Sequence, residues 1–429
     1  MTRLHEHCQA RRIDFWGAVA IGVGGMVGGG IFAVLGLASS LAGGATPAAF
    51  LVAGFVALLT AYSYAKLTNA YPSDGGTIVF IDRAFGIDLC TGGLNNLLWL
   101  SYIVTLSLYS VAFANYAATF FGGDQSAPLH HALISAGILV PTVVNLASPA
   151  LVSKTEIVVV FIKIAILVIV IAFGIGSIDV SRLSPAKWQE PLAVVGAGML
   201  IFVAYEGFEL IANTAPNVEN RETVLPRAYY ASVGFVVALY ITIAAVTVGT
   251  LDAAAIQSAS DFALAAAARA SLGGVGFTLV AISAVLATFS AINATLYGSA
   301  RLASSIAAEG EAPKFLEKRV WNQPVPGLVL TMILALMLAN LADLTAISSM
   351  GSAGFLVIFA FVNAANFVRA KEAKSNRLIA GLGVIACVGA LAALVIHTAQ
   401  SDFRQLWVLA ALVTIGFVVE ALYLAVEKR

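Results

Sequence analysis

The first residue that could do chemistry is a lysine in the middle of an apolar run. Lys163 is the one polar residue of the segment 158–167. A charged side chain at membrane depth is costly and marks function by default. A buried amine also exchanges its proton near physiological pH more readily than an amine in water. Two interpretations follow: Lys163 carries a transported proton, or it stays charged and holds the carbonyl groups of a broken helix.

Two carboxylates flank a glycine in another apolar segment, 190–214. Glu206 directly precedes Gly207, and Glu209 follows two residues later, so the acids face neighbouring sides of any helix there. Two ionised carboxylates at this depth repel, which favours a proton, a substrate amine or Lys163 as a partner for one of them. For Glu209 the alternative is a structural hydrogen bond to unwound backbone. Glu206 is the better candidate for contact with a substrate.

A run of glycines interrupts the first apolar segment, 14–40, at Gly28, Gly29 and Gly30. Such glycines weaken a helix by roughly 1 kcal/mol each relative to alanine. Inside a bilayer the released backbone groups need protein or a water-filled cavity beside them. Free N–H groups suit a carboxylate and free carbonyls suit an ammonium group, so the break fits a zwitterionic amino acid. The alternative is close helix packing through Gly-x-x-x-Gly pairs.

Polar residues in two further segments are weaker candidates. Tyr102, Tyr109 and Tyr116 recur every seven residues, so they share a helix face that either lines a cavity or packs with satisfied hydroxyl groups. Ser290 and Asn293 add polar groups to an otherwise apolar span. The histidines and the three cysteines have no spacing typical of a metal site or a disulfide, and we expect no metal and no cofactor.

The elements that position these residues are membrane spans. Hydrophobic residues make up 60% of the chain and charged residues 11%, a composition typical of an all-α polytopic membrane protein. With about 20 apolar residues for each span, the sequence predicts twelve transmembrane helices. They cover residues 14–40, 45–70, 90–121, 129–147, 153–175, 190–214, 226–250, 271–307, 325–342, 345–369, 376–397 and 403–426.

The basic residues predict the orientation. With the N-terminus inside, 18 of the 23 lysines and arginines fall on the inner side, and Lys163 lies mid-span. The four on the outer side are Arg182, Lys187, Arg269 and Arg404. By the positive-inside rule both termini are cytoplasmic, in a multi-pass protein of the cytoplasmic membrane. The formal net charge is zero, so nothing indicates a nucleic-acid partner, and no obligate protein partner is evident.

Two interrupted spans, the first and the sixth, predict an internal repeat. Residues 14–175 and 190–369 then form two five-helix halves, which have inverted topology because five is odd. Residues 376–426 add helices 11 and 12, and residues 1–13 form a cytoplasmic tail. Broken helices at matching places in inverted halves indicate a solute site at the bilayer midplane. We therefore predict a membrane transporter that works by alternating access.

An intramembrane enzyme and a receptor without transport activity are the competing classes. The sequence contains no His-Glu-x-x-His or Gly-x-Ser-x-Gly motif and no plausible Ser/His pair within the spans. A sensor usually carries an appended soluble signalling domain, and the short tails leave no room for one. We expect that the protein is not an enzyme.

Several motifs in this order resemble the amino acid–polyamine–organocation (APC) superfamily. Residues 28–32, Gly-Gly-Gly-Ile-Phe, resemble its helix 1 signature, and residues 71–76 with 83–86 are similar to the segment after its helix 2. Residues 202–209 resemble helix 6, and residues 290–298 resemble helix 8. The nearest resemblance is to proton-coupled, sodium-independent amino acid transporters of the ApcT type. It implies the five-plus-five inverted repeat of the leucine transporter (LeuT-like) fold, with helices 1 and 6 broken.

The resemblance also implies roles for individual residues. Protonated Lys163 would bridge carbonyls near Gly22 to Gly25 and the hydroxyl of Ser290, and loss of its proton would favour inward opening. Phe202 would gate the outer side. Amides of Gly29 and Gly30 would hold the substrate carboxylate. Carbonyls of Met26 and of the second break would hold the amine. The implied substrate-binding set is Met26, Val27, Gly28, Gly29, Gly30, Ile31, Tyr102, Phe202, Val203, Ala204, Tyr205, Glu206 and Gly207, with Glu209 as an accessory acid.

The function implied is proton-coupled symport of amino acids across a lipid bilayer. Two positions depart from the superfamily pattern: Gly29 stands where many relatives have serine or threonine, and Glu206 replaces an apolar residue. The extra acid either favours cationic substrates or is protonated and neutral in effect. The alternative function is therefore an amino acid exchanger or a carrier of polyamines and other cationic amines.

Overall fold

The computed structural model describes residues 13–122, 126–147, 149–320 and 323–427. It is 86% helix, and the described part contains no strand beyond isolated bridges. The predicted tail, residues 1–13, lies outside this part except for Ile13. The helices are α1 Phe15–Met26, α2 Gly30–Ala42, α3 Thr46–Ala70, α4 Thr77–Phe85, α5 Leu89–Ala118, α6 Ala127–Ala147, α7 Pro149–Gly174, α8 Pro191–Leu200, α9 Arg221–Thr250, α10 Ala253–Ser258, α11 Ala263–Ala308, α12 Val325–Leu341, α13 Leu344–Val368, α14 Arg377–Ser401 and α15 Phe403–Glu427.

The helices are long and apolar enough for a multi-pass membrane protein. Within the described residues, nine helices could each cross a bilayer, and two bent pairs raise the number to eleven. The bent pairs are α1 with α2, and α8 with the 3-10 segment Phe202–Asn217, each bent by 48°. Every predicted span coincides with one of these helices or pairs, or with α12, which is shorter at 17 residues. The all-α class and the two breaks predicted from sequence are confirmed.

Helix ends follow local rules. Asp14 caps α1 by accepting a hydrogen bond from the Gly17 amide at 2.8 Å. Asp88 forms a capping box with Thr91 at the start of α5, a residue pattern that satisfies otherwise unpaired amide groups. Helix α11 changes direction at Gly273, where φ is 64°, a value that glycine adopts without strain.

The connection between α3 and α5 contains a helix that the sequence did not predict. Residues 71–88 were expected to form a connecting loop, but α4 occupies the middle of this stretch. Thr77 at its first position hydrogen-bonds the hydroxyl of Tyr64 at 2.8 Å, and the ring of Phe80 meets the Tyr64 ring edge-on. These contacts hold α4 against α3.

Candidate functional site

The two breaks lie directly against each other. A side chain built on Gly25 would come within 2.6 Å of the Gly207 carbonyl oxygen, and one on Gly207 would come within 2.6 Å of the Met26 amide. Gly207 also has a φ of 118°, which L side chains rarely adopt. A Cβ atom built on Gly30 would likewise lie 2.8 Å from the Cα of Ala204. These glycines provide close backbone contact and a helix break at once, so the two interpretations of the glycine run are compatible.

Gly22 has a different role. A side chain there would meet Ile211 and Ser232 within 2.8 Å. Gly22 therefore lets α1 pack closely on α9 and on the segment that follows the second break. This is the packing interpretation of a membrane glycine.

Each acid of the second break has a tyrosine partner on α5. Tyr109 donates to Glu206 at 3.0 Å, and Tyr102 donates to Glu209 at 3.0 Å. Glu209 also accepts a hydrogen bond from the Gly207 amide at 2.8 Å, the bond to unwound backbone that one interpretation gave it. Glu206 and Glu209 are 4% and 2% exposed, and their carboxyl groups are close enough to act on each other electrostatically. Two buried acids this close attract a proton or a substrate cation.

The ring of Tyr109 explains the glycine in the middle of the first break. A Cβ atom on Gly29 would lie 2.8 Å from Cγ of Tyr109, so the ring occupies the space that a serine or threonine at this position would need. Tyr109 thus covers one break and hydrogen-bonds Glu206 of the other. Tyr116, one further step along the predicted tyrosine face, makes a ring contact with Phe32 of α2 instead.

Lys163 lies within reach of the first break. Its side chain is buried at 2% exposure, and its Nζ donates to the Gly24 carbonyl at 3.0 Å. Gly24 lies in the stretch from Gly22 to Gly25, whose carbonyl groups were expected to accept a hydrogen bond from Lys163. Ser290, its other expected partner, is half-buried on α11, a helix that packs on α7.

Sequence reasoning missed three residues that hold the breaks. The hydroxyl of Tyr240 on α9 lies 2.7 Å from the Met26 carbonyl and 3.3 Å from the Ala204 carbonyl, so it connects both breaks. Ser348 and Ser352 of α13 donate to the Leu200 carbonyl at 2.7 and 2.9 Å. The serines offered one signal, hydroxyls four residues apart, whereas Tyr240 is one of several hydroxyl residues in its span and had no distinguishing signal.

Replacing Tyr240 by phenylalanine should loosen the closed arrangement. The variant leaves two buried carbonyls without this donor, which costs about 1–3 kcal/mol, so we expect a lower melting temperature for the substrate-free protein. The matched control is Tyr230→Phe on the same helix, because Tyr230 is 41% exposed. Thermal unfolding of both variants in detergent tests this. If Tyr240→Phe and Tyr230→Phe melt at the same temperature, Tyr240 does not hold the breaks together.

The site is closed to solvent. Met26, Val27 and Ile31 of the first break are at most 1% exposed, and so is every residue from Phe202 to Tyr205. The ring of Phe202 packs on Phe359 of α13, with centroids 5.9 Å apart. A solute can reach the breaks only after these elements separate.

Comparisons with known proteins agree with this architecture. The sequence profile of a family described as amino acid permease matches residues 13–418. An uncharacterized protein of Methanocaldococcus jannaschii is 34% identical over 383 residues, 88% of this chain and 87% of that protein. The inner membrane transport protein YbaT of Escherichia coli is 34% identical over 81% of each chain. Cationic amino acid transporter 9, chloroplastic, of Arabidopsis thaliana is 27% identical over 72% of this chain and 57% of its own.

Proposed function

Because this chain belongs to the amino acid permease family, we propose that it is a proton-coupled symporter of amino acids. Its family and the names of its relatives make it a membrane transporter and not an enzyme. The observation that carries the proposal is the hydrogen bond from the buried Lys163 amine to the Gly24 carbonyl at the broken helix. The strength of this bond depends on whether the amine carries its proton, so proton binding at Lys163 is connected to the conformation of the broken helix.

Lys163 couples the proton to the conformation in this proposal. A protonated amine donates to Gly24 and to Ser290, and charge makes such bonds roughly twice as strong as neutral ones. Loss of the proton weakens the hold of α7 on α1 and frees α1 to move. The proton then leaves towards the inside, the loaded carrier opens inward and releases the solute, and the empty carrier returns.

The breaks recognise the ends of an amino acid. The amides of Gly29 and Gly30 lie at the start of α2, where a helix dipole favours a carboxylate. The carbonyls of Met26 and Ala204 accept the substrate amine. Both already face the Tyr240 hydroxyl, but a carbonyl oxygen has two lone pairs and accepts a second donor. Val27, Gly28, Ile31, Val203 and Tyr205 complete the chamber, and Phe202 closes it on the outer side.

We also propose the twelve-helix arrangement that this mechanism needs. The equal 48° bends of the two broken pairs support a five-plus-five inverted repeat, with halves at 14–175 and 190–369 and two further helices at 376–426. Both termini then lie in the cytoplasm, and the protein resides in the cell membrane.

Uptake into proteoliposomes tests the proposal. We expect labelled amino acids to accumulate when the outside is acidic and sodium is absent, and to equilibrate without accumulation when no gradient is present. Protein-free vesicles with the same gradient are the control. Uptake that requires amino acid preloaded inside would identify an exchanger instead, and binding without flux would identify a receptor.

A second candidate is a carrier of cationic amino acids or amines. The observation in its favour is the buried carboxyl of Glu206, which meets both Tyr109 and Glu209 beside the amine-binding carbonyls. A second positive charge on the substrate has a partner here. The relative from Arabidopsis thaliana whose name specifies cationic amino acids supports this candidate.

Glu206→Gln separates the two candidates. The amide keeps a hydrogen bond to Tyr109 but removes the charge, so a cationic substrate should lose about tenfold or more in apparent affinity, the effect of a charged hydrogen bond. Neutral amino acids should be transported as before. Competition assays with lysine, putrescine and alanine measure this, and Glu222→Gln, an exposed acid at the start of α9, is the control. Unchanged selectivity would exclude the cationic candidate.

A further inference from the structure

A second group of acids lies where α11 ends, about two helical turns along α5 from Tyr102. After Ala308 the chain turns, and Glu311 enters the bundle with 1% exposure. Glutamate is almost never fully buried in a protein unless it is paired. The partners of Glu311 come from the start of α5, from α4 and from the end of α15.

Two asparagines distribute their N–H groups over three acids. Asn95 Nδ2 donates to Glu311 at 2.6 Å and lies 3.2 Å from an oxygen of Asp82. Asn96 Nδ2 lies 3.0 Å from the Glu311 carbonyl oxygen and 3.2 Å from an oxygen of Glu420. Each amide nitrogen carries only two hydrogens. The amide hydrogens of Asn95 and Asn96 are therefore all engaged, while acceptor oxygens of the group remain.

Three buried oxygens in this group have no hydrogen-bond partner within the described chain: Oε1 of Glu311, Oδ1 of Asn95 and Oδ1 of Asn96. All three are acceptors. Within the described chain, the charges that raise the pKa of Glu311 are those of three acids, Asp82 on α4, Glu420 on α15 and Glu309 beside it. A proton on Glu311 supplies a donor for these unpartnered oxygens.

We propose that Glu311 is a proton-binding site, separate from the helix breaks, whose protonation fastens α4 and α15 to the start of α5. A proton on Oε1 lets this carboxyl donate to an orphaned amide oxygen. Asn95 is placed for it, because its amide nitrogen already bonds the other carboxyl oxygen. The proton comes from solvent and returns to it. Loss of the proton leaves an ionised carboxylate among acidic neighbours.

The acidities fit this assignment. Burial, with the charges of Asp82, Glu420 and Glu309 adding to it and the Asn95 hydrogen bond opposing, raises the pKa of Glu311 to about 7. Burial likewise raises the pKa of Asp82 to about 6, again against the Asn95 hydrogen bond. Under the proposed orientation these groups lie at the cytoplasmic end. Glu311 then changes its protonation within the range of cytoplasmic pH.

The sign of the effect on stability follows from proton linkage. An acid whose pKa is higher in the folded than in the unfolded protein stabilises the fold most at low pH, and this contribution is lost between the two pKa values, where only the folded state holds the proton. For Glu311 this stabilisation declines as the pH rises from 4.5, its ordinary pKa, to about 7, and it is absent above that. For Asp82 the decline ends near pH 6.

Thermal unfolding of the purified full chain in detergent, from pH 5 to 8.5, tests the proposal. The wild-type melting temperature should fall by several degrees as the pH rises to about 7. Glu311→Gln should remove the part of the fall between pH 6 and 7. Glu317→Gln, an exposed acid that is not among the charges acting on Glu311, should retain the wild-type profile. A fall of wild-type size in Glu311→Gln would overturn the proposal.

A second measurement does not depend on that variant folding. Infrared difference spectra of the wild type between pH 6 and 8 should show loss of a protonated carboxyl band. In Asp82→Asn the midpoint of this loss should move to lower pH, because a like charge has been removed. No band, or a midpoint that stays in place, would overturn the proposal. Neither measurement involves transport, so its outcome is independent of the proposed symport.

Discussion

Replacing Lys163 by glutamine should abolish proton-driven accumulation of substrate and leave a folded protein. Glutamine is one bond shorter than lysine but keeps N–H donors for the Gly24 carbonyl, so we expect the contact between α7 and α1 to survive in neutral form. A hydrogen bond from a charged donor contributes about 1.5–3 kcal/mol, against about 1 kcal/mol for a neutral one. The variant therefore loses the part of the interaction that responds to pH. We expect no stimulation of uptake by an acidic outside, while substrate exchange persists.

Measurement in proteoliposomes at several external pH values tests this. Lys66→Gln is the matched control, since Lys66 is a half-buried lysine on α3 whose ammonium group lies over the Tyr62 ring, 5.8 Å from its centroid, rather than at a break. It should keep the wild-type response to pH. If Lys163→Gln accumulates substrate with the normal pH dependence, Lys163 has a static role, and the Glu206–Glu209 pair becomes the first alternative for the coupling proton.

The fold was predictable where one property of the sequence dominates. Long apolar segments specify spans because a bilayer has no water to satisfy exposed backbone groups. The same argument located the breaks, since Gly28 to Gly30 and Gly207 interrupt such segments. Helix α4 was missed because its nine residues include Asp82 and Arg83 and are too short and polar for a span. Its position depends on contact with Tyr64, which no local pattern encodes.

The sequence could suggest which residues lie near the breaks but not which contacts they make. Glu206, Glu209 and Tyr102 were candidates because polar groups in apolar spans are costly. Their pairing with particular hydroxyls depends on how α5 packs on the second break. Tyr240 was missed because its bond to Met26 joins residues 214 positions apart. Glu311 was missed because the sequence places it in a connecting loop, and only the fold buries it.

Gly207→Ala should reduce transport to background. The backbone of Gly207 has a φ of 118°, where a residue with a Cβ atom pays about 1–3 kcal/mol. The new Cβ would also meet backbone of Gly25 and Met26, which cannot move aside as a flexible side chain would. The two breaks must therefore separate or deform.

Uptake in proteoliposomes and size-exclusion profiles of the purified variant measure the loss of function and of fold. Gly234→Ala on α9 is the control, because nothing lies within 4 Å of a Cβ there, and it should transport normally.

Gly25→Ala alters the other side of the same contact. It distinguishes a contact that is needed in the transport cycle from one that is needed only for folding. Gly25→Ala keeps an ordinary helical backbone, and the nearest atoms to its Cβ all belong to Gly207, with the carbonyl oxygen at 2.6 Å. If the contact between the breaks is needed in the closed state, Gly25→Ala should fold and bind substrate but fail to complete transport. The double variant should then be no worse than Gly207→Ala, because both substitutions disrupt one contact and their effects are not additive. Fully additive losses would mean that the two glycines act separately, and normal transport by Gly207→Ala would show that the breaks need not touch.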